Sequence, residues 1–243
     1  MNLTLFDLDC TLLPTDSDHA FGEFLVRVGW ADPVAFRNAN DHFYRQYQEG
    51  RLDMAAYVAF ATSPWRDRPR DEALAMRQRF IDEVARPALH PAAVGLVERH
   101  RRAGDEMALV AATNAFVSAP IAELFGFQTL IATDLAVDTT GRVTGEIDGT
   151  PSFQHGKVTR VAAWLASRGR TWADYERVTF YSDSLNDLAL LEHVSHPVAT
   201  NPSEGLERVA RERGWPILRL FTAGDGPDLA HDQEVHSAAP GHH

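Results

Sequence analysis

Three short apolar runs in this chain each stop on polar residues capable of chemistry. Residues 3–8 carry Asp7 and close on Asp9, residues 107–112 run into Thr113 and Asn114, and residues 178–181 run into Ser182 and Asp183. Short apolar runs bounded in this way read as buried strands of a parallel sheet. In an open α/β sheet the ligand sits outside the carboxyl ends of the strands. Three polar strand ends therefore predict one shared site.

The stretches between the runs carry helical signals. Asp18 can cap a helix whose inner face is Phe21, Phe24, Leu25 and Val28. Asp32-Pro33 reads as an N-cap followed by Pro at the first helical position. Asp53 and Asp71 open two further patterns. Residues 13–88 thus read as an α-helical insertion without a strand, placed directly after the first strand. A βα rhythm starts near residue 90. Helices are expected over 91–102, from 118 to Gly126 and over 156–168. A strand is expected over 129–132 and a β-hairpin over 135–150. Asn201-Pro202-Ser203-Glu204 resembles a capping box before a last helix. The expected fold class is α/β: a Rossmann-like parallel sheet core over 1–12 and 89–221, a helical insertion over 13–88, and a mobile tail over 222–243.

Composition narrows the function classes. Of 243 residues, 44% are hydrophobic and 23% charged, which fits a globular chain, and the formal charge of −11 disfavours nucleic acid as a partner. One cysteine excludes an internal disulfide framework and a Cys-rich zinc site. The 11 histidines show no ligand spacing and read as surface or core residues. Nothing in the opening residues reads as a targeting segment, and no apolar stretch is long enough to span a bilayer. The expectation is a cytoplasmic protein with neither membrane nor nucleic-acid partners.

The chemistry concentrates in a few residues. Asp7 and Asp9 share a strand face unless the strand has already ended. Two adjacent carboxylates repel, so the pair needs a cation or a shared proton. One could ligate a hard metal and attack phosphorus while the other exchanges protons. Helix capping is the competing reading for both acids. Asp183 can complete an oxygen-rich Mg²⁺ site, with Asn186 and Asp187 close behind it. Thr113 and Asn114 precede a helix, where an anion is favoured. Lys157 opens a helix, where a cation needs a partner, although a solvated surface lysine is the commoner case. Cys10 reads as a small buried filler on the strand face opposite the acids. Asp16, Asp18, His19, Asn40 and Tyr44 could line the mouth of the site, and surface polarity explains them nearly as well.

Asp7-Leu8-Asp9-Cys10-Thr11, Thr113, Lys157 and the pair Asp183 and Asp187 together resemble the four ordered motifs of the haloacid dehalogenase superfamily. The helical insertion looks like that family's C1-type cap, and the layout is most similar to the phosphoserine-phosphatase-like branch. Within it, residues 50–53, 112–114, 153–160 and 181–187 resemble bacterial histidinol-phosphatases of this type. The resemblance implies that Asp7 is the nucleophile, forming an aspartyl-phosphate. It implies that Asp9 protonates the leaving alcohol and then deprotonates water. Mg²⁺ would be held by Asp7, Asp183 and the Asp9 carbonyl. Thr11, Thr113, Asn114 and Lys157 would surround the phosphoryl group, and Asp187 would orient Lys157 or the metal's waters.

The chain departs from the family in two places. Cys10 stands where glycine is common. The stretch 52–62, which in phosphoserine phosphatases carries a carboxylate-binding arginine, holds no basic residue here. A cationic amine without a carboxylate, as in histidinol phosphate, suits Asp16 and Asp18; His19 and Tyr44 are the other candidate substrate contacts. A small phosphate ester is the expected partner. A phosphoserine-type or broad-specificity phosphatase, phosphotransfer to an alcohol and a phosphate-responsive binding module remain alternatives, and Asp9 favours turnover over mere binding.

Overall fold

The structure, a computed structural model, describes residues 1–221. The expected tail, 222–243, lies outside them. Six parallel strands form one sheet: β1 (Asn2–Phe6), β2 (Glu106–Asn114), β3 (Leu130–Thr133), β6 (Arg177–Ser182), β7 (His196–Thr200) and β8 (Ile217–Leu218), in the order β3-β2-β1-β6-β7-β8. β1 is central, with Phe6 in register with Leu109 on one side and Tyr181 on the other. The chain leaves β1 toward β2 on one side and returns to β6 on the other. That is the switch point at which such sheets hold ligands. A separate antiparallel hairpin pairs β4 (Leu135–Val137) with β5 (Val143–Ile147), as the alternation over 135–150 predicts.

Strand alternation sorts the core into two layers. Leu3 and Leu5 face Ala108, Val110, Val161, Leu165, Phe180 and Leu206 on one side of the sheet. Phe6 joins Leu109, Ala111, Phe21, Phe24, Phe80 and Ile121 on the other. Each fully buried side chain of this size contributes about 1.5–3 kcal/mol. The first layer is covered by α7 (His155–Ser167), α8 (Leu188–His193) and α9 (Glu204–Arg213). The second is covered by α1 (Ser17–Arg27), α4 (Arg70–Phe80) with its π-helical extension Ile81–Ala85, α5 (Pro91–Ala103) and α6 (Ala115–Leu124). With α2 (Ala35–Gln48) and α3 (Met54–Thr62), the described residues between β1 and β2 form helices and turns and no strand.

Several expectations need correction. β1 ends at Phe6, so Asp9 and Cys10 lie in a turn beyond the strand. Cys10 is half-buried with φ of 56°, a left-handed turn position and not a strand residue facing away from the acids. Asp16, not Asp18, caps α1, because its carboxylate accepts the His19 N–H. Asp32 does accept two helix-start N–H groups, but regular α2 begins only at Ala35. α4 starts at Arg70 behind Pro69, ahead of Asp71. α6 starts at Ala115, where the Asn114 side chain caps it, and not after Ser118. The Ser203 side chain makes no cap bond, so the expected capping box does not form. β7 and β8 have no counterpart in the sequence reading. Pro197 argues against a strand, yet β8 pairs only with Ala199 and Thr200, leaving Pro197 at an edge where it is tolerated.

Candidate active site

The carboxyl ends of β1, β2 and β6 bring the singled-out residues together. Asp7 follows β1 directly, its N–H donating to the Tyr181 carbonyl at 2.9 Å. The chain then turns sharply. The N–H groups of Leu12 and Leu13 both donate to the Leu8 carbonyl, at 2.9 and 3.0 Å. This turn aims Asp7, Asp9 and Thr11 into one space. Asp7 and Asp9 are buried, as are Thr11, Thr113, Asn114, Asn186 and Asp187, while Asp183 is half-buried.

Lys157 is the chain's single lysine and is 0% exposed. Its Nζ donates to Asp7 Oδ1 at 2.8 Å and to Asp187 Oδ2 at 2.7 Å. Burial opposes its charge, but the Asp187 and Asp7 carboxylates outweigh burial and hold its pKa above the usual lysine range. Asp187 also accepts from Ser182 Oγ at 2.8 Å. Lys157 reaches this point because α7 starts tightly. Gly156 lies so close to the Pro151 carbonyl that a Cβ there would stand 2.1 Å from it.

Thr11 Oγ1 lies 3.1 Å from Asp7 Oδ2 and 3.2 Å from Asp183 Oδ1, and accepts the Asp183 N–H at 3.0 Å. Asp9 is fixed by the Ser17 N–H at 2.7 Å and by Thr113 Oγ1 at 2.6 Å. Burial, together with neighbouring carboxylates, pushes Asp7 and Asp9 up to about 7, against the pull of Lys157 on Asp7 and of the Ser17 and Thr113 hydrogen bonds on Asp9. Burial and the charges of Asp7 and Asp187 push Asp183 well above the usual range. Four carboxylates therefore crowd around one ammonium. A divalent cation is the species that would offset the excess charge. The donor set is all oxygen, as a hard ion such as Mg²⁺ requires. The Asp7 and Asp183 carboxylates, both reached by Thr11 Oγ1, fit such an ion.

Beside Asp9 and Thr113, a cavity of about 30 Å³ is lined by residues of the inserted helices, including Asp16, Asp18, His19 and Tyr44. Its lining also holds Phe43, Tyr47 and Tyr57, and among the described residues it contains no arginine or lysine. Asp18 is buried and accepts from Asn114 Nδ2 at 3.2 Å. Burial, with Asp16 and Asp9 nearby, pushes Asp18 up to about 8. His19 is tied to Asp41 at 3.0 Å and packs on the Tyr44 ring, centroids 4.9 Å apart. Glu23 gathers with His19 and Asp41; its Oε2 accepts from Arg37 at 2.8 Å, while its Oε1 is buried without a hydrogen-bond partner.

Three positioning groups, the Asn201 and Ser182 side chains and the Ser17 main-chain N–H, carry no role in the site that the sequence alone assigns. Asn201, at φ of 45°, donates to the Cys10 and Thr11 carbonyls at 3.2 and 3.1 Å and so clamps the turn beyond β1. Ser17 contributes its N–H to Asp9, and Ser182 braces Asp187. Such contacts are set by tertiary approach and leave no periodic mark. Lys157 did leave one, since a sole lysine at a helix start among 23 basic residues is already unusual. Asn186 turns out to face the insertion, donating to the Tyr47 carbonyl at 2.8 Å, while Gln154 donates to the Gly50 carbonyl at 3.1 Å.

Both the fold and this constellation are those of one class. Residues 4–192 match the haloacid dehalogenase-like hydrolase family, and the chain belongs to it, as an enzyme of its phosphatase branch. A histidinol-phosphatase of Neisseria meningitidis is 44% identical over 219 residues, covering 90% of this chain and 99% of that one. A solved protein of unknown function from Bordetella pertussis Tohama I is 48% identical, with a TM-score of 0.85 over 90% of this chain and 99% of its own. A substrate-bound phosphoserine phosphatase shares the fold at 18% identity, with a TM-score of 0.61 over 89% and 91% of the two chains. No helix among the described residues is long and apolar enough to cross a membrane.

Proposed function

We propose that the chain is a Mg²⁺-dependent phosphomonoester hydrolase of the cytoplasm that works through an aspartyl-phosphate on Asp7 and acts on histidinol phosphate. Mg²⁺, held by Asp7, Asp183 and the Asp9 carbonyl, would supply charge neutralisation on the phosphoryl oxygens. Lys157 holds Asp7 in place and adds positive charge next to it, and Asp187 with Ser182 fixes Lys157. Thr11, Thr113 and Asn114 border the position the phosphoryl group would take. Asp7 Oδ attacks phosphorus and the ester oxygen leaves. Asp9, oriented by Ser17 and Thr113 with a carboxyl that titrates near neutral pH, gives that oxygen its proton. Asp9 then takes a proton from the water that attacks phosphorus, releasing inorganic phosphate and free Asp7.

The observation that carries the substrate assignment is the lining of the cavity beside Asp9. Three acidic side chains, Asp9, Asp16 and Asp18, and the rings of Phe43, Tyr44, Tyr47 and Tyr57 border it, with no arginine or lysine among the described residues. Such a lining suits an amine and an imidazole and offers nothing to a substrate carboxylate. The 44% identical histidinol-phosphatase relative supports the same reading. The cavity, about 30 Å³, holds only one or two waters, so the inserted helices must move as a cap to admit any ester. Turnover of histidinol phosphate should exceed that of phosphoserine and of a generic phosphate panel in kcat/KM. A preference for phosphoserine would remove the assignment.

A further inference from the structure

A second cleft, of about 400 Å³, shares no lining residue with the aspartate cavity, and Arg66, Arg68, Arg70, Arg77 and Arg142 converge on it. This is unexpected in a chain of formal charge −11. Arg66 and Arg68 lie between α3 and α4, Arg70 and Arg77 lie on α4, and Arg142 precedes β5 in the hairpin. Phe116, from α6, lies against Trp65 in the lining, their rings stacked 4.0 Å apart.

Neutral groups position these guanidinium groups. Arg66 donates to the Ala59 carbonyl at 2.6 Å, Arg68 to Pro64 at 3.1 Å, Arg77 to Phe116 at 3.1 Å and Arg142 to Asp67 at 3.3 Å. Arg68 also lies 4.0 Å over the Trp30 ring and Arg77 4.8 Å over Phe116. Carbonyls and rings hold a guanidinium in place without neutralising it. Among the described residues, the one ion pair made by these five is Arg66 to the exposed Asp67, at 3.9 Å; the charge of Glu123 also reaches Arg77. Arg77 Nε is buried with no hydrogen-bond partner. Like charges gathered at a cleft repel until an anion joins them, and planar guanidinium forks match phosphoryl and carboxylate oxygens in pairs.

We propose that this cleft binds a small polyanion carrying two or more phosphoryl or carboxylate groups. Such a ligand would bridge the inserted helices to the β4–β5 hairpin and bias how readily the insertion swings. Binding of the polyanion does not require the reaction proposed above; only its effect on the insertion's motion bears on that reaction.

The test is calorimetric titration of the full chain in EDTA with methylenediphosphonate and, separately, with citrate. The same titrations are run on Arg70→Ala/Arg142→Ala and on the single variant Arg142→Gln. Arg70 and Arg142 are exposed, so circular dichroism should match the parent, as should turnover measured with Mg²⁺ and without polyanion. At least one polyanion should bind the parent, with affinity falling as salt rises, and the double variant should bind about tenfold or more weakly. Binding of the diphosphonate alone assigns phosphoryl ligands, and of citrate alone carboxylate ligands. No binding to the parent, or equal affinity in both variants, overturns the proposal.

Discussion

In the proposed reaction Asp9 is one side chain serving two opposite proton transfers. Its carboxyl is fixed by the Ser17 N–H and the Thr113 hydroxyl, and burial brings its titration near neutrality. Asp9→Asn keeps the shape and removes the exchangeable proton, so in kcat/KM, which reports the first displacement, it should slow alkyl esters, which need a protonated leaving group, by about 10²–10⁴-fold and aryl esters much less, while the hydrolysis of the aspartyl-phosphate slows for both. Equal losses across a leaving-group series would exclude the acid role. Asp18 has a different consequence. The folded chain keeps its proton up to about pH 8, whereas an unfolded chain releases it near pH 4. Between those values the folded state binds more protons, so this group's contribution to stability falls as pH rises. Asp18→Asn should therefore melt higher than the parent at pH 8, with the gap closing toward pH 4. Parallel pH profiles of Tm would contradict the assignment.

At the scale of elements, the start of α7 is under the tightest constraint. Gly156→Ala would force a methyl onto the Pro151 carbonyl and push α7 outward, moving Lys157 away from Asp7 and Asp187. A loss of about 1–3 kcal/mol from overpacking should accompany a fall in kcat, measured by denaturant melts and steady-state kinetics. Unchanged kcat would mean that the ammonium can find its partners from a displaced helix. The central elements were legible because their signals are local: apolar runs with polar ends for β1, β2 and β6, and caps such as Asp53, whose carboxylate accepts the Ala55 and Ala56 N–H groups. The ordered acids, threonine and lysine were legible for the same reason. β7 and β8 were not, because a strand interrupted by proline takes its identity from its neighbours. Asn201 and Ser17 were not, because their partners lie on other segments or on the main chain. The choice between Asp16 and Asp18 as the cap of α1 depended on where β1 stops, and boundaries are where local signals are weakest.

Over the whole molecule, the buried excess of negative charge links metal to stability. Lys157, paired with Asp7 and Asp187, is the one ammonium among Asp7, Asp9, Asp183 and Asp187, and burial, then neighbouring carboxylates, raise the pKa values of the first three. Mg²⁺ that binds only the folded chain should raise Tm, by the equivalent of about 2.7 kcal/mol at a hundredfold excess over Kd. Chelation should reverse it, and the rise should vanish in Asp183→Asn. A Tm indifferent to Mg²⁺ would mean that the folded chain holds no such ion, and a rise that survives in Asp183→Asn would place the ion elsewhere. The enclosure of Lys157 also makes the catalytic centre selectively addressable by chemistry. With no other lysine anywhere in the sequence, an acylating reagent meets only the chain's terminal amine while the protein stays folded. A second acyl group taken up would then report, molecule by molecule, each excursion that unlocks the nucleophile from its counter-ion.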